Sequence, residues 1–286
     1  MEHDPRHHHH HHDEDNGAAQ AELLDLGAEV LHDYLTGAIG WVHQAGGDRS
    51  VRRVADLGCG TGSGTVLLAR RFPAAHVVAV DQSAGFLDRV RGRARDLGLT
   101  RRIQTMQADL DDQWPATGAV DLVWMSMALH HLADPGRGLA LILAALRPGG
   151  LLAVAEQTEP VRFLPDDIGL GRPGLEARCE AALSKLAAES LPYLGADWGP
   201  IVTGAGFTDV TARRFDIDLT PPLPAAAARY AWLSLRRSRA RLDGLLDDQD
   251  LAALEAITSE DGPHTLLRRE DLAIRAARTV WTATRP

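Results

Sequence analysis

The chain has 286 residues, of which 45% are hydrophobic and 24% are charged, and its formal net charge is −9. This length and composition are ordinary for a globular protein that buries a sizeable core. The acidic balance disfavours nucleic acid as a partner, because neutralising phosphates requires a clustered basic surface. The two cysteines, Cys59 and Cys179, do not make a disulfide framework. No secretory signal or apolar run of about 18 residues occurs, so we expect a cytoplasmic protein without membrane contact.

Residues 1–18 are predicted to be a disordered, histidine-rich tail. Histidines occupy positions 7–12 and are followed by three acidic residues. An affinity tag or a polar tail explains this composition, and a native metal-collecting tail is the alternative. Residues 19–286 are predicted to form the functional domain. Its first part, 19–47, is expected to be helical, because apolar residues recur there at helical spacing before Gly46 and Gly47.

The stretch from Val54 to Asp81 has the pattern of strand, glycine-rich turn, helix and strand. Glycines suit such a turn because a Cβ atom would keep the main chain away from a bound ligand. Asp81 lies about 20 residues beyond the turn, where a carboxylate can accept hydrogen bonds from ribose hydroxyls. The stretch therefore predicts a nucleotide-binding βαβ unit.

The turn itself, Asp56-Leu57-Gly58-Cys59-Gly60-Thr61-Gly62, resembles the first motif of class I S-adenosylmethionine-dependent methyltransferases. The nicotinamide fingerprint would instead need glycine where Ser63 or Thr65 stands, and no P-loop Gly-Lys-Ser/Thr occurs. Leu-Arg-Pro-Gly-Gly-x-Leu at 146–152 extends the resemblance. It implies S-adenosylmethionine as cofactor and an α/β Rossmann-like fold, with a seven-stranded, mostly parallel sheet, helices on both faces and an antiparallel last strand.

The later elements follow the order that this fold requires. Beyond the fifth strand, the segments 157–200 and 220–262 are predicted to be helical cap insertions. The arginine-rich part of the second insertion is expected to be a solvated face, because acidic residues follow it directly. The other predicted elements are strands at 102–107, 120–125, 151–155, 210–217 and 274–284 and helices at 139–146 and 197–205.

The resemblance also implies which residues contact the cofactor. The glycine loop with Asp56 should hold the methionine portion, Asp81 the ribose, and Asp109 with Leu110 the adenine. A helix cap is the alternative role for Asp109. The full set of expected contacts is Asp56, Gly58, Cys59, Gly60, Gly62, Asp81, Gln82, Ala108, Asp109, Leu110 and Met125.

Methyl transfer from a sulfonium donor mainly requires alignment and exclusion of water, so few catalytic residues are needed. His130 and His131 follow the fourth strand and are candidate general bases, with capping or packing of the loop as the alternative. Glu156 either faces the pocket or pairs with an arginine. No metal is expected, because histidines and carboxylates do not cluster at ligand spacing outside the tail.

Residues 125–128 are Met-Ser-Met-Ala, where branches of the family that act on protein or nucleic acid usually carry an Asn-Pro-Pro-Tyr type segment. The predicted function is therefore methyl transfer to an oxygen, nitrogen or carbon atom of a small-molecule substrate. The alternative is a protein of this fold that binds S-adenosylmethionine without transferring methyl, as a rearrangement catalyst or a binding module. The sequence leaves open the acceptor, the methylated atom and whether the chain forms a homodimer.

Overall fold

The computed structural model describes residues 6–47, 49–112 and 114–286, with side chains from residue 17 onward. The helices are α1 (Arg6–Val30), α2 (His32–Ala45), α3 (Ser63–Arg71), α4 (Ala84–Asp96), α5 (Pro135–Ala145), α6 (Leu175–Ser190), α7 (Trp198–Gly204), α8 (Ala225–Arg239) and α9 (Asp248–Thr258). The strands are β1 (Arg53–Leu57), β2 (His76–Asp81), β3 (Ile103–Gln107), β4 (Val120–Ser126), β5 (Leu146–Arg162), β6 (Thr208–Leu219) and β7 (Ile274–Thr284).

The strands of the described ranges form one seven-stranded sheet in the order β3-β2-β1-β4-β5-β7-β6. The first five strands in sequence run parallel to one another. Strand β7 lies between β5 and β6 and is antiparallel to both. The predicted α/β class, with a Rossmann-like sheet and an antiparallel last strand, is confirmed. In such a sheet, ligands bind at the carboxyl ends of the parallel strands.

Helices cover both faces of the sheet because the central strands are apolar on both sides. Side chains of one face, such as Val54 and Trp124, pack under α2, α3 and α4. Side chains of the other face, such as Ala55 and Val123, pack under α5 and α7. Because side chains alternate along each strand, they form two separate apolar layers, one on each face of the sheet. Ligands therefore have access only at the ends of the strands.

A further apolar cluster lies beyond the parallel part of the sheet. It joins α6, α8 and α9 to the ends of β5 and β7 through residues such as Leu175, Trp232 and Leu254. Asp250 is buried beside this cluster and accepts hydrogen bonds from Arg178 (2.7 Å) and Arg172 (2.7 Å). Most of its buried side chains come from the two predicted cap segments.

Several element bounds differ from the predicted ones. Strand β5 continues to Arg162, beyond the predicted end at Ala155, because its pairing with β7 continues to Arg275. The first residues of the 157–200 segment are therefore strand. Helix α1 begins at Arg6. Because residues 1–5 and the side chains of 6–16 lie outside the described part, the predicted disorder of 1–18 stays a prediction.

None of the helices in the described ranges combines the length and apolarity needed to cross a bilayer. Over the same ranges, no three His, Cys, Asp or Glu side chains gather as a metal site would require.

Candidate active site

The glycine loop lies between β1 and α3, at the carboxyl end of the sheet. Gly58, Gly60 and Gly62 all have left-handed main chains, with φ of 69°, 53° and 89°. The N–H groups of Gly58 and Cys59 both donate to the carbonyl of Val80 in β2, at 2.9 and 3.0 Å. A Cβ atom on Gly58 would lie 2.6 Å from the Cβ atom of Ala128, which follows β4. The sequence of the loop is therefore required by its conformation and by its close approach to the neighbouring strand.

Asp81 lies at the end of β2 and is hydrogen-bonded to this loop. Its Oδ2 accepts the N–H of Gly60 at 2.9 Å, and its Oδ1 accepts the N–H of Ser83 at 2.9 Å. Ser83 in turn caps α4 by accepting from Phe86. Each carboxylate oxygen can accept a further hydrogen bond. Asp81 is only partly buried, so its position suits the predicted contact with ribose hydroxyls.

Asp56 is buried beneath the loop. It is 2% exposed, and its Oδ2 accepts the hydroxyl of Thr65 in α3 at 2.5 Å. Burial raises the pKa of Asp56 to about 7, the hydrogen bond from Thr65 opposes this shift, and the charge of Asp81 adds to it. Burial likewise raises the pKa of the neighbouring Cys59 thiol. Asp56 thus ties β1 to the start of α3, and its predicted cofactor contact stays a prediction.

The end of β3 contributes the next group of predicted contacts. The N–H of Ala108 donates to the carbonyl of Asp81 at 3.1 Å, and the amide of Gln107 donates to the carbonyl of Gln82 at 2.9 Å. Asp109 is exposed, and its Oδ1 accepts the N–H of Asp111 at 3.0 Å. These bonds hold Gln82 and Ala108 beside Asp81, and Asp109 and Leu110 follow directly in the chain. Their cofactor contacts stay predictions.

Asp111, two residues after Asp109, makes hydrogen bonds of its own to the segment after β4. Its Oδ1 accepts the N–H of Ala133, and its carbonyl accepts a guanidinium N–H of Arg137 at 2.9 Å. It therefore links the β3 loop to the segment after β4.

The predicted cofactor contact at the end of β4 differs from the others. The side chain of Met125 is fully buried in the apolar layer under α5. A contact from Met125 to the cofactor would therefore have to come from its main chain. Met127, two residues on, has a left-handed main chain with φ of 54°, which is unusual for a residue other than glycine. Nothing in the residue types of 125–128 signals this conformation.

His130 forms a buried pair with Glu156. His130 is 4% exposed and Glu156 is 1% exposed, and the distance from His130 Nδ1 to Glu156 Oε2 is 2.6 Å. The other carboxylate oxygen accepts the N–H of Leu129 at 2.9 Å. An ionised Glu156 accepts from Nδ1–H, so Nε2 remains as the basic nitrogen of His130. The sequence predicts that Glu156 faces the pocket or pairs with an arginine, and the arginine alternative is wrong, because the carboxylate pairs with His130.

His131 lies on the exposed side of His130, with 4.1 Å between the ring centroids. Burial lowers the pKa of His131, the charges of His130 and Arg237 act in the same direction, and Glu156 opposes them. Arg237 belongs to α8, so this helix reaches the carboxyl edge of the sheet.

The predicted solvated face on α8 is only partly correct. Arg229 pairs with Glu22 of α1, and Arg239 pairs with Asp243. The acidic residues Asp247 and Asp250 pair with Arg172, in the segment before α6, rather than with α8.

Helix α1 covers the glycine loop and is held from two sides. Asp25 accepts hydrogen bonds from Arg89 at 2.9 Å and from Arg93 at 2.6 Å, both in α4. Glu22 accepts from Arg229 of α8 at 2.9 Å. A Cβ atom on Gly60 would lie 3.4 Å from the Cδ1 atom of Leu24. Helices α1 and α8 therefore lie over the carboxyl edge of the sheet.

These residues fit the nucleoside-bearing cofactor that the motif implies. Gly58, Gly60 and Gly62 present no Cβ atoms, the first turn of α3 presents main-chain N–H groups, and Asp81 provides acceptors for hydroxyls. Asp109 presents a second exposed carboxylate along the same edge. The loop would hold the amino-acid end, and the ends of β2 and β3 would hold the nucleoside.

Comparison with known families gives one domain match. Residues 54–150, from β1 to the turn within β5, match the family model described as a methyltransferase domain. The chain is 30% identical over 208 residues to a trans-aconitate 2-methyltransferase of Yersinia pestis, a match that covers 71% of this chain and 74% of that protein. It is also 41% identical over 102 residues to an uncharacterized protein of Synechococcus, covering 36% of this chain and 24% of that protein.

Two solved structures share the fold at low sequence identity. The BH2331 protein from Bacillus halodurans superimposes with a TM-score of 0.55 at 16% identity, over 87% of this chain and 99% of that one. The YcgJ protein from Bacillus subtilis gives a TM-score of 0.53 at 13% identity, with the same coverage. These likenesses extend the agreement in fold well beyond residues 54–150.

Proposed function

Because the chain belongs to the class I S-adenosylmethionine-dependent methyltransferases, we propose that it transfers a methyl group to an oxygen, nitrogen or carbon nucleophile of a small-molecule metabolite. The bound cofactor supplies a sulfonium-activated methyl group. The protein has to orient the two reactants, exclude water and, where the nucleophile carries a proton, accept it. The position of α1 and α8 over the site is the observation that carries the choice of a small acceptor.

The glycine loop, Asp81 and Asp109 are proposed to bind the cofactor. The glycine loop and the main-chain N–H groups of the first turn of α3 would face the amino-acid end, and Asp81 would accept the ribose hydroxyls. Asp56 acts as a positioning residue, because its hydrogen bond with Thr65 fixes α3 against β1. Asp109, with Ala108 and Leu110, would frame the adenine.

A small acceptor is supported by two further observations. Glu22 and Asp25 hold α1 to α8 and α4 over the carboxyl edge, which supports a small acceptor rather than a folded protein or a duplex. The Yersinia relatives are named for the methylation of trans-aconitate, a small molecule. The acceptor of this chain is proposed to be of comparable size.

His130 is proposed as the general base for a protonated nucleophile. Glu156 holds Nδ1 and so presents Nε2 as the acceptor of a proton. His131 is the second candidate, because its lowered pKa keeps it neutral near pH 7. Glu156 is a positioning residue in this scheme, since it touches His130 and the main chain of Leu129.

Incubation with methyl-labelled S-adenosylmethionine and a metabolite extract tests the proposal. Label should move into a small molecule, and not into protein or nucleic acid. Label in a macromolecule would contradict the small acceptor. Tight cofactor binding with no transfer to any fraction would instead favour a protein that binds the cofactor without using its methyl group.

The role of His130 has its own test. Once the acceptor is known, Glu156→Gln should lower kcat by roughly 10-fold or more and shift the pH profile, because the imidazole loses its oriented basic nitrogen. Cofactor affinity should not change. His76→Ala, at an exposed position at the start of β2, is the matched control. An unchanged pH profile in Glu156→Gln would leave His130 with a packing role only.

A further inference from the structure

Arg278 is a buried cation at the carboxyl edge of the sheet. It is 5% exposed and lies in β7, opposite Gln157 of β5 and Phe215 of β6. Gln157 directly follows Glu156, the partner of His130. Consecutive strand side chains point to opposite faces, so Arg278 lies on the α2 face of the sheet and Glu156 on the α5 face. Tyr34 of α2 is close to both, since the charges of Arg278 and Glu156 both act on its hydroxyl.

The hydrogen bonds of this guanidinium use one of its nitrogens. Within the described ranges, Nη1 donates to Gln157 Oε1 (3.2 Å), to the carbonyl of Glu159 (3.2 Å) and to that of Ala277 (3.3 Å). No hydrogen bond from Nε or Nη2 to a described residue accompanies them. The Nη1 bonds fill an irregularity where the β5–β7 register shifts between Gln157 and Glu159. Nη1 thus stabilises the strand pairing, while the edge formed by Nε–H and Nη2–H has no partner among the described residues.

Arg278 also lacks a carboxylate partner among the described residues. The nearby Glu159 turns its carboxylate to Arg214 instead, at 2.6 Å. A buried charge without a counter-charge is unfavourable unless another group compensates for it. The parallel Nε–H and Nη2–H donors of arginine match the two oxygens of a carboxylate.

Two tyrosines, Tyr34 of α2 and Tyr230 of α8, lie near Arg278. The hydroxyl of Tyr34 is buried without a hydrogen-bond partner in the described part of the chain, and its ring packs edge-on against Phe215 at 5.8 Å. Tyr230 of α8 packs edge-on against Phe163 at 5.4 Å. Burial raises the pKa of Tyr34 to about 12 and raises that of Tyr230, and the charge of Arg278 opposes both shifts. Both hydroxyls therefore stay protonated and can donate.

We propose that Arg278, with the hydroxyls of Tyr34 and Tyr230, binds a carboxylate group of the methyl acceptor. This inference rests on the proposed function, because it identifies the acceptor as a small carboxylic acid. The carboxylate would pair with the free Nε–Nη2 edge and accept from the unpartnered hydroxyl of Tyr34. Its binding would anchor the acceptor on the β7 side while another atom faces the cofactor site.

Binding without turnover tests the subsite. The full chain, saturated with S-adenosylhomocysteine, is titrated by calorimetry with benzoate, fumarate and propane-1,2,3-tricarboxylate, each compared with its neutral amide. At least one acid should bind while its amide does not. Arg278→Gln should weaken that binding by roughly 10-fold or more, as expected for a charge-assisted bidentate pair. Arg275→Gln, on the same strand but exposed, should leave it unchanged.

Two milder variants keep the test decisive if Arg278→Gln does not fold. Tyr34→Phe removes one hydroxyl and retains the ring, and it should weaken binding by about 3-fold to 10-fold. Arg278→Lys keeps the charge but loses the two-donor edge, and it should also bind more weakly. Unchanged acid binding in both variants would overturn the proposal. So would a wild-type chain that binds S-adenosylhomocysteine but none of the three acids.

The outcome is separable from that of the proposed function. Carboxylate binding that depends on Arg278, in a chain that transfers no label, would retain the subsite and overturn methyl transfer. Transfer of label to a neutral acceptor, with no Arg278 dependence, would do the reverse.

Discussion

The β1–α3 loop and the region around Arg278 form their proposed binding sites by different means. The loop uses main-chain groups of consecutive residues, with glycines where the chain turns left-handed. The Arg278 region uses side chains from α2, α8 and β7, which only the fold brings together. Main-chain recognition therefore leaves a compact motif in the sequence, whereas side-chain recognition across distant elements leaves none.

The largest expected effect concerns the stability of the apolar cluster formed by α6, α8 and α9. Asp250→Ala removes a buried carboxylate that holds Arg172 and Arg178, and it should cost about 2 to 3 kcal/mol, the low end for a buried pair because both arginines are partly exposed. Chemical denaturation measures this loss. Asp243→Ala, which breaks an exposed pair with Arg239, should cost under about 0.5 kcal/mol. A comparable loss in both variants would contradict the buried role.

The same network has a defined pH dependence. The hydrogen bond from Arg178 is the main cause that lowers the pKa of Asp250, and burial opposes it. Its stabilisation is therefore present above the ordinary carboxyl range and is lost as the pH falls through the lowered pKa. Asp250→Ala should consequently approach the stability of the wild type in acid, and cofactor affinity should stay unchanged at neutral pH.

Gly58→Ala tests the close approach in the loop. The added Cβ would meet Ala128 at 2.6 Å, and φ is +69°. Gly98→Ala is the matched control, because φ there is +67° and no atom lies within 4 Å of the added Cβ. Gly58→Ala should lose about 1 to 2 kcal/mol more than the control and should also bind the cofactor more weakly. Equal losses in the two variants would mean that only the left-handed conformation matters.

Asp81→Ala should weaken S-adenosylmethionine binding by a factor of about 10 or more, because hydrogen bonds to a charged group are lost. Calorimetric titration gives the affinity. Asp81→Asn keeps one acceptor oxygen for Gly60 and should lose less. An Asp81→Ala variant with wild-type affinity would contradict the ribose assignment.

The last prediction concerns the pH dependence of stability at Asp56. Its pKa is raised from 3.8 to about 7, so the folded chain keeps a proton that the unfolded chain has released. The stability that this group contributes is present below pH 3.8 and is lost as the pH rises through about 7. Asp56→Asn does not titrate. The unfolding free energy of the wild type should therefore fall relative to that of the variant from pH 4 to 7 and then level off. Parallel pH profiles would contradict the raised pKa.

Much of the fold follows from local patterns. The parallel strands, the turn after β1 and the last strand at 274–284 were predictable because their apolar runs and glycines are contiguous. The extension of β5 to Arg162 was not, because pairing with β7 rather than local preference keeps that segment extended. The same holds for the arginines of α8, whose acidic partners come in part from α1.

The sequence by itself determined the class of cofactor and the edge of the sheet at which we propose that it binds, since consecutive residues encode the left-handed turn and the acid at the end of the next strand. Only the tertiary structure decided that Glu156 pairs with His130, that α1 closes over the loop, and that Arg278 lies buried beside two tyrosines. The physical reason is distance along the chain. Periodicity and turn chemistry report on neighbours, whereas a buried charge acquires its surroundings only when remote elements pack around it.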